Sequence, residues 1–404
     1  MSEWKKVKLG EIAESCLGKM LDAAKNRGDY QPYLANLNVR WGSFDTENLS
    51  LMKFEEGEEE RYGIKYGDLI ICEGGEPGRC AIWKEQLPNM KIQKALHRVR
   101  SKDGIVDNFY LFYWFLHAGK RNWIDQYCTG ATIKHLPGQK LKEIVVDLPP
   151  LTTQRNIASV LSRYDTLIEN YQKQIQLLEE AAQRLYKEWF VDLHFPGHEN
   201  TKIVDGVPEG WERTNVNSIL TFHRGYDLTH KEFIDGPYPV VGSTSIIGNH
   251  NKYKIEGPGI VTGRSGSLGV YQLIWDNYWP HNTSLYVSDF KGHNVFYIYC
   301  LLKTVDFTTL NSGGAIPSLN RNTLSSISII EPPMSLQTMF SGKVMPMFKR
   351  QRLLQSQVRL LTEARDRLLP KLMSGEISVE TTQSVTSGLG VRKEQTGSPK
   401  PSDS

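Results

Sequence analysis

A tandem duplication constrains this chain more than any other feature. Thr129-Gly130-Ala131-Thr132-Ile133-Lys134-His135-Leu136 aligns with Ser312-Gly313-Gly314-Ala315-Ile316-Pro317-Ser318-Leu319 at a spacing of 183 (312 minus 129). The match continues without a gap through Leu141/Leu324, Ile144/Ile327, Pro149-Pro150/Pro332-Pro333 and Gln154/Gln337. It reaches Leu177-Leu178/Leu360-Leu361, Glu180-Ala181/Glu363-Ala364 and Arg184-Leu185/Arg367-Leu368, with 16 identities over positions 129–190. A looser match pairs Trp4 with Trp211 at a spacing of 207. The first copy therefore carries a net 24 extra residues (207 minus 183), among which we place the acidic run Glu55–Glu60. Self-similarity on this scale means one supersecondary plan used twice.

Each copy is a variable globular segment followed by a better-matched helix. The expected order is globular 1–150, helix 151–190, linker and globular 191–333, helix 334–378, and a disordered tail 379–404. Val191–Glu209 holds Pro196, Gly197, Gly206 and Pro208, as a connection would. The tail is rich in Ser, Thr and Gly and has no apolar periodicity.

The helices follow a heptad. Leu161, Tyr164, Ile168, Tyr171, Ile175, Leu178, Ala182, Leu185 and Trp189 step alternately by three and four, as a left-handed coiled-coil seam requires. The second copy reads Val344, Met347, Gln351, Leu354, Val358, Leu361, Arg365, Leu368 and Leu372. Gln351 and Arg365 interrupt that stripe, and Pro346 predicts a kink or a late start. Each prolyl pair sits just before a helix, where a fixed φ and a missing N–H cost least. At 1.5 Å per residue, about 35 residues form a rod of roughly 50 Å. The stripes also suit the core of an ordinary bundle. The separation of the helices in sequence, each behind a like globular copy, favours antiparallel pairing instead. The fold class is then α+β: two mixed α/β domains separated by two long antiparallel coiled-coil helices, an internal repeat with pseudo-two-fold symmetry that imitates a symmetric dimer.

The globular segments show short strand-like runs. Tyr66–Cys72 resembles Gly257–Thr262, and Gly78–Trp83 resembles Gly266–Tyr271. Amphipathic helices are expected at Asn108–Ala118 and Asn294–Lys303. Candidate DNA-contacting residues follow from side-chain chemistry. Lys91, Gln93, Lys94, His97 and Arg98 form a basic and amide-bearing stretch, although a solvated strand face fits it equally well. In the second copy the candidates are Arg224, Tyr226, Arg264, Ser265, Ser267, His281 and Asn282. Gly263–Ser267 could offer amides and Arg264 to a phosphate or a guanine edge, and Asn282 suits adenine. Tight-turn and turn-capping roles are the competing readings, and for Tyr226 the competing reading is packing.

Charge adds little: +3 over 404 residues does not by itself point to nucleic acid. Five cysteines at irregular spacing argue for a reducing compartment, without a disulfide framework or a zinc site. No run of about 18 apolar residues suggests a membrane span, and Met1–Lys6 lacks a signal-peptide core. There is no Walker element, no dinucleotide glycine fingerprint and no H-E-x-x-H or C-x-x-C spacing. No reaction is expected of this chain alone.

The duplicated Leu148-Pro149-Pro150-Leu151-x-x-Gln154 and Pro332-Pro333-Met334-x-x-Gln337 resemble the conserved regions of the specificity (S) subunits of type I restriction–modification systems. So do Trp189-Phe190-Val191-Asp192-x-x-Phe195-Pro196, Val207-Pro208-x-Gly210-Trp211-Glu212 and Leu369-Pro370-Lys371-Leu372-Met373-Ser374-Gly375-Glu376-Ile377. The resemblance spans residues 1–378. Met334, Gln351, Arg365 and Pro346 depart from its pattern. It implies two target recognition domains, each reading half of an asymmetric, interrupted site on double-stranded DNA. It implies a coiled coil (Leu161, Ile168, Tyr171, Ile175, Leu178, Leu185, Leu354, Val358, Leu361, Leu368) that sets the gap and docks two methyltransferase (M) subunits. It also implies restriction/translocase (R) subunits joined through M, cytoplasmic location, and no cofactor in this chain. S-adenosylmethionine, ATP and Mg would serve the partners. A coiled-coil scaffold binding only proteins, and an enzyme acting alone, are the rival expectations.

Overall fold

A computed structural model describes residues 4–22, 26–130, 132–264, 269–305 and 327–379. Ser312–Leu319 of the repeat, and all of the expected disordered tail except Val379, lie outside the described residues. The chain forms two compact units. One comprises residues 1–169 and 358–404, the other residues 170–357.

In the first unit, β1 (Lys5–Lys8) leads through α1 (Leu9–Ile12) into β2 (Ala13–Leu17). Then come β3 (Asp29–Leu34), the two-residue strands β4 (Val39–Arg40) and β5 (Ser43–Phe44), β6 (Ser50–Phe54), and α2 (Glu58–Tyr62). β7 (Leu69–Cys72), β8 (Cys80–Ile82), β9 (Lys91–Ile92) and β10 (Leu96–Ser101) precede α3 (Asn108–Lys120), α4 (Gly138–Glu143) and β11 (Val145–Leu148). Four sheets result: β2-β10-β7-β8, β6-β3-β9, β1-β11 and the two-stranded β4-β5. α3 begins where the Asp107 carboxylate accepts from the Tyr110 N–H, an N-cap worth about 1 kcal/mol. Tyr110 through Ala118 are all buried, so α3 is a core helix rather than an amphipathic surface one.

The second unit repeats the first three of these sheets, without a counterpart of β4-β5 among the described residues and with a hairpin of its own. After α5 (Leu151–Tyr186), β12 (Ile203–Val204) and β13 (Val207–Pro208) form a hairpin. β14 (Glu212–Asn215), α6 (Val216–Ile219), β15 (Thr221–Arg224), β16 (Tyr238–Val241), β17 (Ile246–His250), β18 (Gly259–Gly263), β19 (Tyr271–Ile274), β20 (Trp279–Pro280) and β21 (Ser284–Asp289) follow. Then come α7 (Val295–Thr304), β22 (Ser328–Glu331) and α8 (Met334–Met373). The sheets are β15-β21-β18-β19, β17-β16-β20 and β14-β22, the same orders as in the first unit. Asn294 caps α7 as Asp107 caps α3.

Two sequence expectations need correction and a third is refined. Gly78 matches Gly269 rather than Gly266: both have left-handed φ (+89° and +86°) and both stand two residues before a strand that pairs with its central neighbour. The extra residues of the first copy do include the segment of the acidic run, 55–68 against 251–258, but more of them lie in the β3–β6 connection, 35–49 against 242–245. α8 starts at Met334 and runs through Pro346, so there is no late start. The proline removes a hydrogen bond to Gly342, which is exposed to water.

Each unit takes half of each long helix. Every residue of both heptad stripes is buried or half-buried. In the first unit, Ile157, Val160 and Leu161 of α5 share a core with Leu369, Leu372 and Met373 of α8, beside α3. Arg365 meets Asp165 there, and the Tyr113 hydroxyl of α3 donates to the same carboxylate. In the second unit, Gln351 donates to the Ile175 carbonyl at 2.8 Å and to Glu179 at 3.1 Å. Early residues of one helix meet late residues of the other in both units, so the pairing is antiparallel. The two polar breaks in the second stripe are satisfied across the pair, as buried polar groups must be. The 191–209 connection also has a packing role: the Phe195 ring lies 4.9 Å from that of Trp211.

Gln154 and Gln337 show why the Pro-Pro…Gln pattern recurs. Each is fully buried. Gln154 donates to the Pro149 carbonyl at 2.8 Å and accepts from the Asp107 N–H at 3.0 Å. Gln337 donates to the Pro332 carbonyl at 2.9 Å and faces His293 Nδ1 at 3.0 Å. Each glutamine ties the first turn of a long helix to the residues that open the core helix of its own unit.

Candidate nucleic-acid interface

In both units the chain leaving the first strand of the four-stranded sheet crosses the chain leaving the short parallel strand. Gly18 and Gly225 permit the crossing. A Cβ on Gly18 would lie 2.4 Å from the Gln93 carbonyl oxygen, and one on Gly225 would lie 2.1 Å from that of His281. Parallel bridges Lys19↔Gln93 and Tyr226↔His281 follow directly. Backbone hydrogen bonds lock the crossings: Lys19 N–H to the Ile92 carbonyl (3.0 Å) and Tyr226 N–H to the Pro280 carbonyl (2.8 Å). The crossings bring loops of different strands together, the arrangement on which binding residues are usually carried.

In the second unit the crossing gathers most of the predicted candidates. Arg224 is exposed, and its guanidinium lies 3.5 Å from Asp227. The Asn282 amide donates to the same Asp227 carboxylate. The Arg264 N–H donates to the Thr283 carbonyl at 3.3 Å, which Ser243 Oγ also reaches at 2.8 Å. The Arg264 side chain is exposed. Ser265 and Ser267 lie outside the described residues. His281 is a turn-forming residue rather than a free reader: Nδ1 meets Thr283 Oγ1 at 2.9 Å, and Nε2 meets the Leu228 carbonyl at 3.0 Å. Tyr226 is half-buried, its hydroxyl 3.0 Å from that of Tyr286, with the Lys254 ammonium 5.4 Å from its ring centre.

The first unit corrects three of the five predictions there. Lys91 is buried, with its ammonium held by Glu59 and the Asn89 carbonyl. His97 is buried against the Leu136 carbonyl, and burial lowers its pKa so that it stays neutral. Arg98 donates to the Gly63 carbonyl at 2.7 Å and the Glu60 carbonyl at 3.2 Å, and burial pulls its pKa down. Neither DNA contact nor a solvated strand face describes these three residues, because neighbouring elements cover them. Lys94 is exposed and Gln93 half-buried, so these two remain at the surface of the crossing.

Sequence reasoning did not single out Gly18, Gly225 or Asp227. The signal was present. The 207-residue spacing that pairs Trp4 with Trp211 also pairs Gly18 with Gly225 and Leu21 with Leu228. Among the described residues no group of three or more His, Cys, Asp or Glu could hold a metal ion, and no helix is long and apolar enough to cross a membrane. All five cysteines are free.

Two duplicated α/β units, each carrying cationic and amide groups on crossed loops, define a class of internally repeated protein with a like surface feature in each copy. Comparison with known families gives the identification. The model of the type I restriction modification DNA specificity domain matches residues 1–180 and 208–340. The chain belongs to this family. It is 28% identical to the MjaIX type I restriction enzyme specificity subunit of Methanocaldococcus jannaschii, with 78% of each chain covered. It is 21% identical to the HindI specificity subunit of Haemophilus influenzae, with 93% of this chain and all of that one covered. The crystal structure of a type I restriction–modification S subunit from M. genitalium shares its fold, with a TM-score of 0.58 at 18% identity over 91% of this chain and 96% of that one.

Proposed function

We propose that this chain is the non-catalytic DNA sequence-recognition subunit of a type I restriction–modification complex. Each globular domain reads one half of a bipartite, asymmetric site, and the paired helices set the gap between the halves. Residues 1–150 and 191–333 are the two target recognition domains, and 151–190 and 334–378 are the spacer helices. Two methyltransferase subunits dock on pseudo-equivalent helix surfaces and methylate adenine N6 with S-adenosylmethionine, the target base being flipped from the duplex. Restriction/translocase subunits join through them and use ATP with Mg. The complex works in the cytoplasm. A net charge of only +3 suits a subunit whose partners supply much of the phosphate neutralisation.

The observation that carries this reading is a repeat that persists where packing does not require it. Leu177 and Leu360 are equivalent by the 183-residue spacing, yet they are 52% and 55% exposed. Glu180/Glu363 and Arg184/Arg367 flank them with the same spacing and identity. Exposed apolar groups kept in both copies fit one partner surface used twice, and covering the exposed half of each leucine contributes about 1 kcal/mol.

Exchanging residues 211–333 for the corresponding segment of another family member, then mapping methylated adenines, tests the assignment. One half-site should change and the other should not. DNA specificity unaltered by the exchange would leave a protein-binding scaffold. Separately, Leu177→Glu with Leu360→Glu should abolish co-purification of methyltransferase while leaving the chain's own melting unchanged.

A further inference from the structure

The crossed loops of the second unit hold one side chain in a reading posture. Asn282 is half-buried beside the glycine-backed bridge, and its amide is engaged by Asp227. A carboxylate only accepts, so Nδ2 must be the atom that faces Asp227. That fixes the flip of the amide. Oδ1 accepts no hydrogen bond among the described residues, and the second Nδ2 proton is likewise unengaged. Asp227 is itself paired with Arg224, which keeps a negative group tolerable near a polyanion. Asn282 therefore presents an acceptor and a donor side by side in fixed order. In the major groove this pair is complementary to the N6 donor and N7 acceptor of adenine.

We propose that Asn282 reads one adenine of the second half-site and that Asp227 is its positioning residue. The proposal rests on the assignment of residues 191–333 to DNA recognition and deepens it. The first unit supports the placement by contrast. Gly18, Met20 and Lys94 stand where Gly225, Asp227 and Asn282 stand in the second. The crossing is the same, but Lys94 has no carboxylate opposite it at Met20. The shared backbone carries different chemistry at one position, as expected where two domains read different bases.

The test uses the complex reconstituted with its methyltransferase partners and a genome-wide map of methylated adenines. Asn282→Ala should relax one base position of one half-site, with discrimination against non-adenine bases falling about ten- to hundred-fold and the other half-site unchanged. Asp227→Ala should relax the same position by a smaller factor, because the amide persists but is free to flip. Should methylation be lost altogether, competition binding with duplexes differing at single base pairs supplies the same readout. Unaltered preferences in Asn282→Ala, or uniform weakening at every position, would overturn the proposal. Exchange of residues 211–333 separates the levels. If the exchange changes a half-site and Asn282→Ala does not, only this inference fails. If neither does, the recognition assignment fails with it.

Discussion

Replacing Gly225 by alanine tests the crossing on which the proposed reading of the second half-site depends. The new Cβ would lie 2.1 Å from the His281 carbonyl oxygen and 2.6 Å from that of Pro280, both backbone atoms. Ordinary contact needs about 1 Å more, so one of the two chains must move. Motion is resisted on both sides: the Gly225 N–H donates to the Ser284 carbonyl at 3.0 Å, and the His281 N–H donates to the Val241 carbonyl at 2.9 Å. Overpacking against such a lattice costs about 1–3 kcal/mol. In a unit of this size that corresponds to a melting transition lower by about 3–10 °C. Asn282 follows His281 directly and must shift with it, so discrimination at the second half-site should fall while the first half-site is retained. Gly18→Ala, whose Cβ would lie 2.4 Å from the Gln93 carbonyl oxygen, should do the converse. Calorimetry of the chain and methylation mapping of the complex read the two effects. If Gly225→Ala left both melting and site preference intact, or if each variant degraded both half-sites equally, the reasoning would be refuted.

A heptad inserted after Gln172 and another after Gln355 adds about 10.5 Å to each long helix. The methylated half-sites should then separate by about three further base pairs, at 3.4 Å each; an unchanged gap in a folded complex would contradict the ruler role. Asp165→Ala strands the half-buried Arg365 guanidinium and removes one of the two partners of the Tyr113 hydroxyl. Because Asp366 and Ser162 remain as partners, the cost should be about 2–3 kcal/mol by denaturant unfolding, below that of a fully orphaned buried charge. A neutral result would show that the pair carries no weight. His117 is buried, and burial first, then Arg121 and Lys120, lower its pKa to about 4. The unfolded chain takes up this proton near pH 6.5, so stability is intact above that value and drains as pH falls toward 4, by at most about 3 kcal/mol. An NMR titration of the His117 ring with a midpoint above 6 would refute this.

Identity between the copies located the long helices to within a few residues, because heptad spacing and a preceding prolyl pair depend on local geometry. The helices expected at Asn108–Ala118 and Asn294–Lys303 correspond to α3 and α7, which Asp107 and Asn294 cap. Basic residues were less legible. Lys91 and Lys94 are three positions apart and alike in composition, yet one is buried in an ion pair and the other is exposed. Nothing local distinguishes them: the difference is made by α2, whose Glu59 returns from more than thirty residues away. Asp366 shows the same dependence. Burial would raise its pKa, but Lys120 and Arg365, brought in from α3 and from its own helix, hold its carboxyl below the ordinary value.

Periodicity, capping and duplication are short-range properties, and for this chain they were enough to establish two copies of an α/β unit, each followed by a long helix with one apolar face. Whether a given cation faces solvent or a carboxylate, and which glycine lets two loops cross, depends on segments far apart in the chain meeting in space. Pairing energies between such segments have no local signature in composition or spacing, so the crossed loops emerged from the fold.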